Sequence, residues 1–261
     1  MTAVEADVTY RSDGEEVPAR VSVPPQRDRP APGVLLCAGR LREIDGLWFL
    51  VEALADRGIA ALATQYRGMD MRTDDRDCIA GLDHLAAVPG VDPSRLAMVG
   101  HSRGAMASLR VAATDDRVRS VVALQPVTDL ARYVAATREY SPMRYQRLAE
   151  GLGGSPEERP GTYAELSALT FADRIRVPVL LVAGTMDLHS PMEHSMWMRD
   201  ALMAAGNRDT HLEVLDGVGH FFERMYSGYV HETIAALTVS WLDRTLGPTG
   251  EVATANEASR R

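Results

Sequence analysis

The chain has 261 residues, 46% hydrophobic and 25% charged, with a formal net charge of −8. This balance suits a soluble α/β globule and speaks against a general nucleic-acid or anionic-membrane surface, both of which need a basic face. No apolar run is long enough to span a bilayer, no basic-then-apolar leader opens the sequence, and Cys37 and Cys78 form neither a metal motif nor a disulfide framework, so a reducing cytoplasm is the expected setting.

In chain order, Ala6 to Tyr10 and Val17 to Val23 are predicted strands around a turn at Ser12-Asp13-Gly14. The second alternates Val17, Ala19, Val21 and Val23 with polar or small partners, a half-buried pattern. After a proline-rich connection, Gly33 to Gly39 is a continuous apolar strand of the kind buried on both faces of a parallel sheet. A helix follows with Leu47, Leu50, Val51, Leu54 and Ala55 on one face and Gly58 as its stop. Ile59 to Thr64 is the next strand, and Asp74 to Val88 the next helix. An apolar strand at Arg95 to Val99 leads into Gly100-His101-Ser102-Arg103-Gly104 and a helix over Ala105 to Ala113. Ser120 to Leu124 is a sixth strand.

The rhythm then breaks. From Thr128 to Arg176 no strand is predicted, and residues 128–176 read as a helical cap inserted over the sheet, or as ordinary crossover helices. Strands resume at Val179 to Gly184 and at His211 to Leu215. Between them Ser190-Pro191-Met192-Glu193 is predicted to cap and open a helix. Tyr226 to Leu246 is the last helix, and 248–261 lacks apolar periodicity and is expected to be disordered. Eight strands alternating with helices predict a doubly wound, mostly parallel sheet with helices on both faces, in one domain over 1–247.

Gly100-His101-Ser102-Arg103-Gly104 fits the nucleophile elbow G-x-S-x-G, a strained strand-to-helix turn that lifts a serine hydroxyl clear of the sheet. A serine hydroxyl needs a base, and the base an orienting acid. In this architecture these follow in the order serine, acid, histidine on loops after later strands. Asp187 and His220 stand there, His220 in the glycine-rich Asp216-Gly217-Val218-Gly219-His220. His189 remains a rival base and Asp216 a rival acid. His84, His101, His194, His211 and His231 read as surface or packing residues.

The backbone N–H of Arg103 is the expected first oxyanion donor, with Gly39 or Arg40 supplying the second. Arg103 places a cation in a helix's first turn, against the dipole. Its expected counter-charge is an internal carboxylate (Glu43, Asp45 or Asp70) or a substrate carboxylate shared with Arg40 or Arg67. Tyr66, Arg67, Met186 and Arg103 are the candidate substrate contacts. Met192, Met196 and Met198 either line the same pocket or pack a helix.

These residues resemble the α/β-hydrolase superfamily. More narrowly, from about Val8 to Leu246, the chain is similar to the catalytic domain of the prolyl oligopeptidase and acylaminoacyl peptidase relatives, and to dienelactone-hydrolase-like enzymes. The similarity rests on Asp92 to Ser102, Gln125 to Leu130, Leu152 to Glu158, Tyr66-Arg67-Gly68, Gly184-Thr185-Met186-Asp187 and Gly219-His220-Phe221. It implies Ser102, Asp187 and His220 as a triad. It also implies a serine hydrolase that cleaves an ester or amide of a small molecule or short peptide, with no metal or organic cofactor. Thioester cleavage, acyl transfer and a non-catalytic binding role on the same fold are the alternatives. Two departures stand out: Cys37-Ala38-Gly39 replaces the usual His-Gly-Gly, and only Met1–Pro32 precede the third strand, so a bare catalytic domain without a propeller is expected.

Overall fold

The computed structural model describes residues 3–25, 29–39, 44–68 and 71–247. The tail expected to be disordered lies outside them. The described strands are β1 (Val4–Ser12), β2 (Glu15–Val23), β3 (Ala31–Cys37), β4 (Ala60–Thr64), β5 (Val91–His101), β6 (Val118–Leu124), β7 (Val179–Gly184) and β8 (Thr210–Leu215). They form one sheet in the order β1-β2-β4-β3-β5-β6-β7-β8. The β1–β2 and β2–β4 pairs are antiparallel and the other pairs are parallel. Asp13 and Gly14, both at positive φ, join β1 to β2 with Ser12 opposite Glu15, the turn geometry that matches strand twist in a two-residue hairpin.

The helices are α1 (Trp48–Arg57), α2 (Asp74–Ala86), α3 (Arg103–Ala112), α4 (Leu130–Tyr140), α5 (Pro142–Leu152), α6 (Pro160–Leu166), α7 (Glu193–Ala204), α8 (Phe222–Met225) and α9 (Tyr229–Leu246). Side chains alternate across a strand, so one run can supply two cores. In β3 and β5, Leu35, Cys37, Leu96 and Met98 pack with α2, α3 and α7 on one face. Val34, Leu36, Ala97 and Val99 pack with α1 and α9 on the other. Every residue of α3 is buried. On the far face the Trp241 indole N–H donates to Ser120 Oγ at 2.9 Å and pins α9 to β6.

Two local expectations are corrected. Ser190 does not cap α7, which starts at Glu193 without a side-chain cap. Its hydroxyl donates instead to the Pro126 carbonyl at 2.6 Å, so a tertiary acceptor wins over the local one. The helix predicted over Tyr226–Leu246 starts later, at Tyr229 after Gly228 (φ 56°), and a separate short helix, α8, precedes the predicted start. Residues 128–176 contain no strand, as expected; α4, α5, α6 and a 3-10 stretch at Ala168–Arg174 fill the interval. Among the described residues, no helix is long and apolar enough to cross a membrane.

Candidate active site

β5 lies between β3 and β6 and delivers Ser102 to the C-terminal edge of the parallel strands. Ser102 has φ 54° and ψ −111°, a conformation costly for a residue with a Cβ. The flanking glycines make the turn sterically feasible. A Cβ on Gly100 would stand 2.3 Å from the Gly104 carbonyl carbon, and one on Gly104 would stand 2.0 Å from the Cys37 carbonyl oxygen.

Ser102 Oγ is 2.9 Å from His220 Nε2. His220 Nδ1 is 2.8 Å from Asp187 Oδ2. The network assigns the tautomer: Nδ1–H donates to the carboxylate, leaving Nε2 to accept the serine proton. Asp187 Oδ1 accepts the backbone N–H groups of His189 (2.8 Å) and Ser190 (2.7 Å), so donors converge on both oxygens. Gly184 permits this approach, since a Cβ there would meet the Val218 carbonyl oxygen at 2.1 Å. His189, the rival base, lies beside His220 with ring centroids 5.3 Å apart, and its backbone serves Asp187. Asp216, the rival acid, accepts the Thr185 hydroxyl at 3.0 Å.

His101, read as a packing residue, is a buried strut. Its Nε2 donates to the His220 carbonyl at 2.9 Å. A residue the sequence reading did not single out, Gln125, donates from Nε2 to the Gly219 carbonyl at 2.8 Å. Its position at a strand end, at a positive φ of 47° and directly before Pro126, was the available signal. A cavity of about 390 Å³ opens over Ser102 and His220. Its wall includes Gly39, Met106, Tyr133, Arg144, Arg147 and Glu223. Burial pushes the Glu223 carboxyl above its usual range. Among the described residues no cluster of three or more His, Cys, Asp or Glu side chains is placed to hold a metal ion.

The expected substrate contacts fare differently. Arg103 lines the cavity, but its guanidinium is held by Asp74, Nε to Oδ2 at 2.7 Å and Nη2 to Oδ1 at 2.6 Å, with both side chains buried. The internal carboxylate is thus one the sequence reading did not name. Asp45 pairs with Arg20, and Arg40, Glu43 and Asp70 lie outside the described residues. Arg67 is taken up by Asp77, Asp13 and Glu15. Tyr66 is buried beneath the loop after β3 and donates to the Ala38 carbonyl at 3.0 Å. Met186 is 59% exposed and Met198 is in the core. Among the described residues, the methionines on the cavity wall are Met71, Met106 and Met143.

The pattern of the prolyl oligopeptidase family matches residues 50–249. The chain belongs to that family. Over 176 residues it is 30% identical to a probable dipeptidyl-aminopeptidase B of Metarhizium robertsii, covering 64% of this chain and 18% of that protein. It superposes on an acylaminoacyl peptidase of Pyrococcus horikoshii with a TM-score of 0.82 at 17% identity, covering 96% of this chain and 43% of the other. A puromycin hydrolase gives 0.75 at 25% identity, with 94% and 40% covered. The chain spans less than half the length of each of these relatives. The α/β-hydrolase fold is common to the structural relatives. Where family members usually carry His-Gly-Gly, the chain keeps the last glycine: Gly39 is on the cavity wall, close enough to His101 that a Cβ would stand 3.1 Å from Nδ1.

Burial holds the rings of His101 and His194 neutral, pushing them down to about 3 and about 4. For His194 the Asp129 and Asp187 charges oppose that push without overcoming it. Unfolding returns both rings to water, where histidine titrates near pH 6.5. The unfolded chain then binds more protons than the folded one from about pH 6.5 down to the folded values, so this contribution to stability is full above about pH 6.5 and is lost as the pH falls. Between pH 7 and 5 the loss is expected to be about 1–2 kcal/mol for each ring. The urea midpoint checks it: a value that does not fall from pH 7 to 5 contradicts neutral burial.

Proposed function

We propose that this chain is a serine hydrolase that cleaves an ester or amide bond of a small molecule or short peptide through a covalent acyl-enzyme. The observation that carries the reading is the unbroken path from Ser102 Oγ through His220 to Asp187 at the floor of a cavity of about 390 Å³, within the size range of small-molecule sites. Ser102 Oγ attacks the carbonyl carbon as its proton passes to His220 Nε2. Asp187 holds the imidazole orientation and stabilises the imidazolium. The tetrahedral oxyanion is received by the backbone N–H of Arg103 and by the loop at Gly39, with Arg40 the other candidate donor. His220 then protonates the leaving alcohol or amine, and water, activated by the same ring, releases the acid.

Residues 128–176 act as a cap in this proposal, because Leu130, Tyr133 and Arg144 from α4 and α5 contribute to the cavity wall. The relatives' names, dipeptidyl-aminopeptidase and acylaminoacyl peptidase, support amide substrates beside esters. A reducing, cytoplasmic setting belongs to the same proposal: Cys37 and Cys78 are buried thiols with Sγ atoms 3.6 Å apart. The test is labelling with a fluorophosphonate, followed by peptide mapping. Modification of Ser102, with turnover of either p-nitrophenyl esters or aminoacyl anilides, is the expected result. No label, or label on another residue, overturns the proposal.

A further inference from the structure

Among the described residues, two arginines on the cavity wall have no internal counter-charge. Arg103, Arg144 and Arg147 are the arginines that line it among the described residues. Arg103 is neutralised by Asp74. Among the described residues, no carboxylate lies within 4 Å of the Arg144 or Arg147 side chain. The contrast within the cap is direct. α4 and α5 exchange reciprocal contacts, in which Arg138 of α4 donates to the Tyr145 hydroxyl of α5 and Arg144 of α5 donates to the Tyr133 hydroxyl of α4. Each guanidinium also lies over its tyrosine ring, at 4.6 and 5.4 Å from the centroid. Arg138, away from the cavity, has Glu157 as well, at 3.3 Å. Among the described residues Arg144, at the cavity, has only the neutral phenol, and its Nε is buried without a hydrogen-bond partner. Arg147, one turn further along α5, is exposed and makes only a long contact to Met143 Sδ at 3.8 Å.

The carboxylate on the wall among the described residues, Glu223, sits against Gly46 and is 3.9 Å from His101 Nδ1. It forms no ion pair with either cap arginine. The Arg144 charge is felt toward the catalytic end: after burial, it is the next largest influence pushing the His189 ring down to about 4, and that ring is 5.3 Å from His220's.

We infer that the substrate carries a carboxylate, which Arg144 binds with Arg147 in support. The inference rests on the hydrolase reading above and narrows its substrate class. A guanidinium already oriented by a tyrosine loses little freedom when it meets a carboxylate, and its planar fork suits bidentate pairing. The carboxylate can sit on the acyl part or on the leaving group, and substrates distinguish the two.

The experiment compares two matched pairs by pH-stat. Ethyl hemiadipate against ethyl hexanoate places the charge on the acyl side. 3-(Butyryloxy)benzoate against 3-(butyryloxy)benzamide places it on the leaving group. In Arg144→Gln the anionic-to-neutral ratio of kcat/KM is expected to fall about 10–100-fold in one pair, and Arg144→Lys to recover part of it. Arg147→Gln lowers the same ratio by only about two- to fivefold, as its side chain is exposed. If no ester turns over, protection of Ser102 from the fluorophosphonate by adipate or 3-hydroxybenzoate carries the test, compared between the wild type and Arg144→Gln. An unchanged ratio in both pairs, or equal protection in both proteins, overturns the inference and leaves the hydrolase standing. Failure of Ser102 to take the label at all sinks the hydrolase reading instead.

Discussion

Replacing Ser102 by alanine is expected to lower kcat by roughly five to six powers of ten, the scale seen when a triad nucleophile is removed. The fold should not suffer. Ser102 is 8% exposed, and its hydroxyl makes one hydrogen bond, to His220, which remains bonded to Asp187. The melting temperature should therefore stay within a few degrees. The decisive measurement adds His220→Ala. Members of one catalytic unit are not additive, so Ser102→Ala with His220→Ala should be no slower than either alone. Losses that multiply would mean that the two side chains act independently.

The second large effect falls on a residue with no chemistry of its own. In Gly104→Ala, the new Cβ would stand 2.0 Å from the Cys37 carbonyl oxygen and 2.6 Å from that of Ala38. These are backbone atoms at the end of β3, and no side-chain rotation relieves the clash. Either α3 lifts away or the loop carrying Gly39 shifts. Overpacking of this kind costs about 1–3 kcal/mol, and displacement of the proposed oxyanion donor is expected to cost about 10²–10³ in kcat. Gly151→Ala is the control: it lies in α5, and a Cβ there meets nothing within 4 Å, so stability should rise by up to about 1 kcal/mol. If Gly104→Ala behaves like Gly151→Ala, the close approach of α3 and β3 is not what the turn requires.

The strand-turn-helix at Ser102 and the loops bearing Asp187 and His220 were legible because their geometry is written in short local patterns. A glycine-flanked serine between a strand and a helix leaves few backbone solutions, and the order of later loops follows from the sheet. The counter-charge of Arg103 was not legible. Sequence reading placed it on neighbouring loops, at Glu43, Asp45 or Asp70, whereas Asp74 at the start of α2 provides it. That pairing depends on how α2 and α3 pack, which no local pattern encodes. For the same reason Arg103 and Arg67 read in the sequence as candidate anion contacts, although both are paired internally. A sequence shows which residues are cationic, but only packing shows which are already neutralised. Ser190 makes the same point: its local pattern fits a cap, and a carbonyl 64 residues away claims the hydroxyl.

His101 has a consequence for how such a site can change over time. Its ring bonds the carbonyl of His220 on one side and lies against Gly39 on the other. A single side chain from β5 thus bonds the loop of the proposed base and packs against the loop of the proposed oxyanion donor. The proposed cap is braced within itself, by the paired arginines and tyrosines of α4 and α5. On the proposed mechanism, reactivity and selectivity would therefore reside in separately braced pieces. Substitutions along α5 are then expected to change which molecules are accepted while the proposed triad is inherited intact, and a change at His101 is expected to disturb every substrate alike.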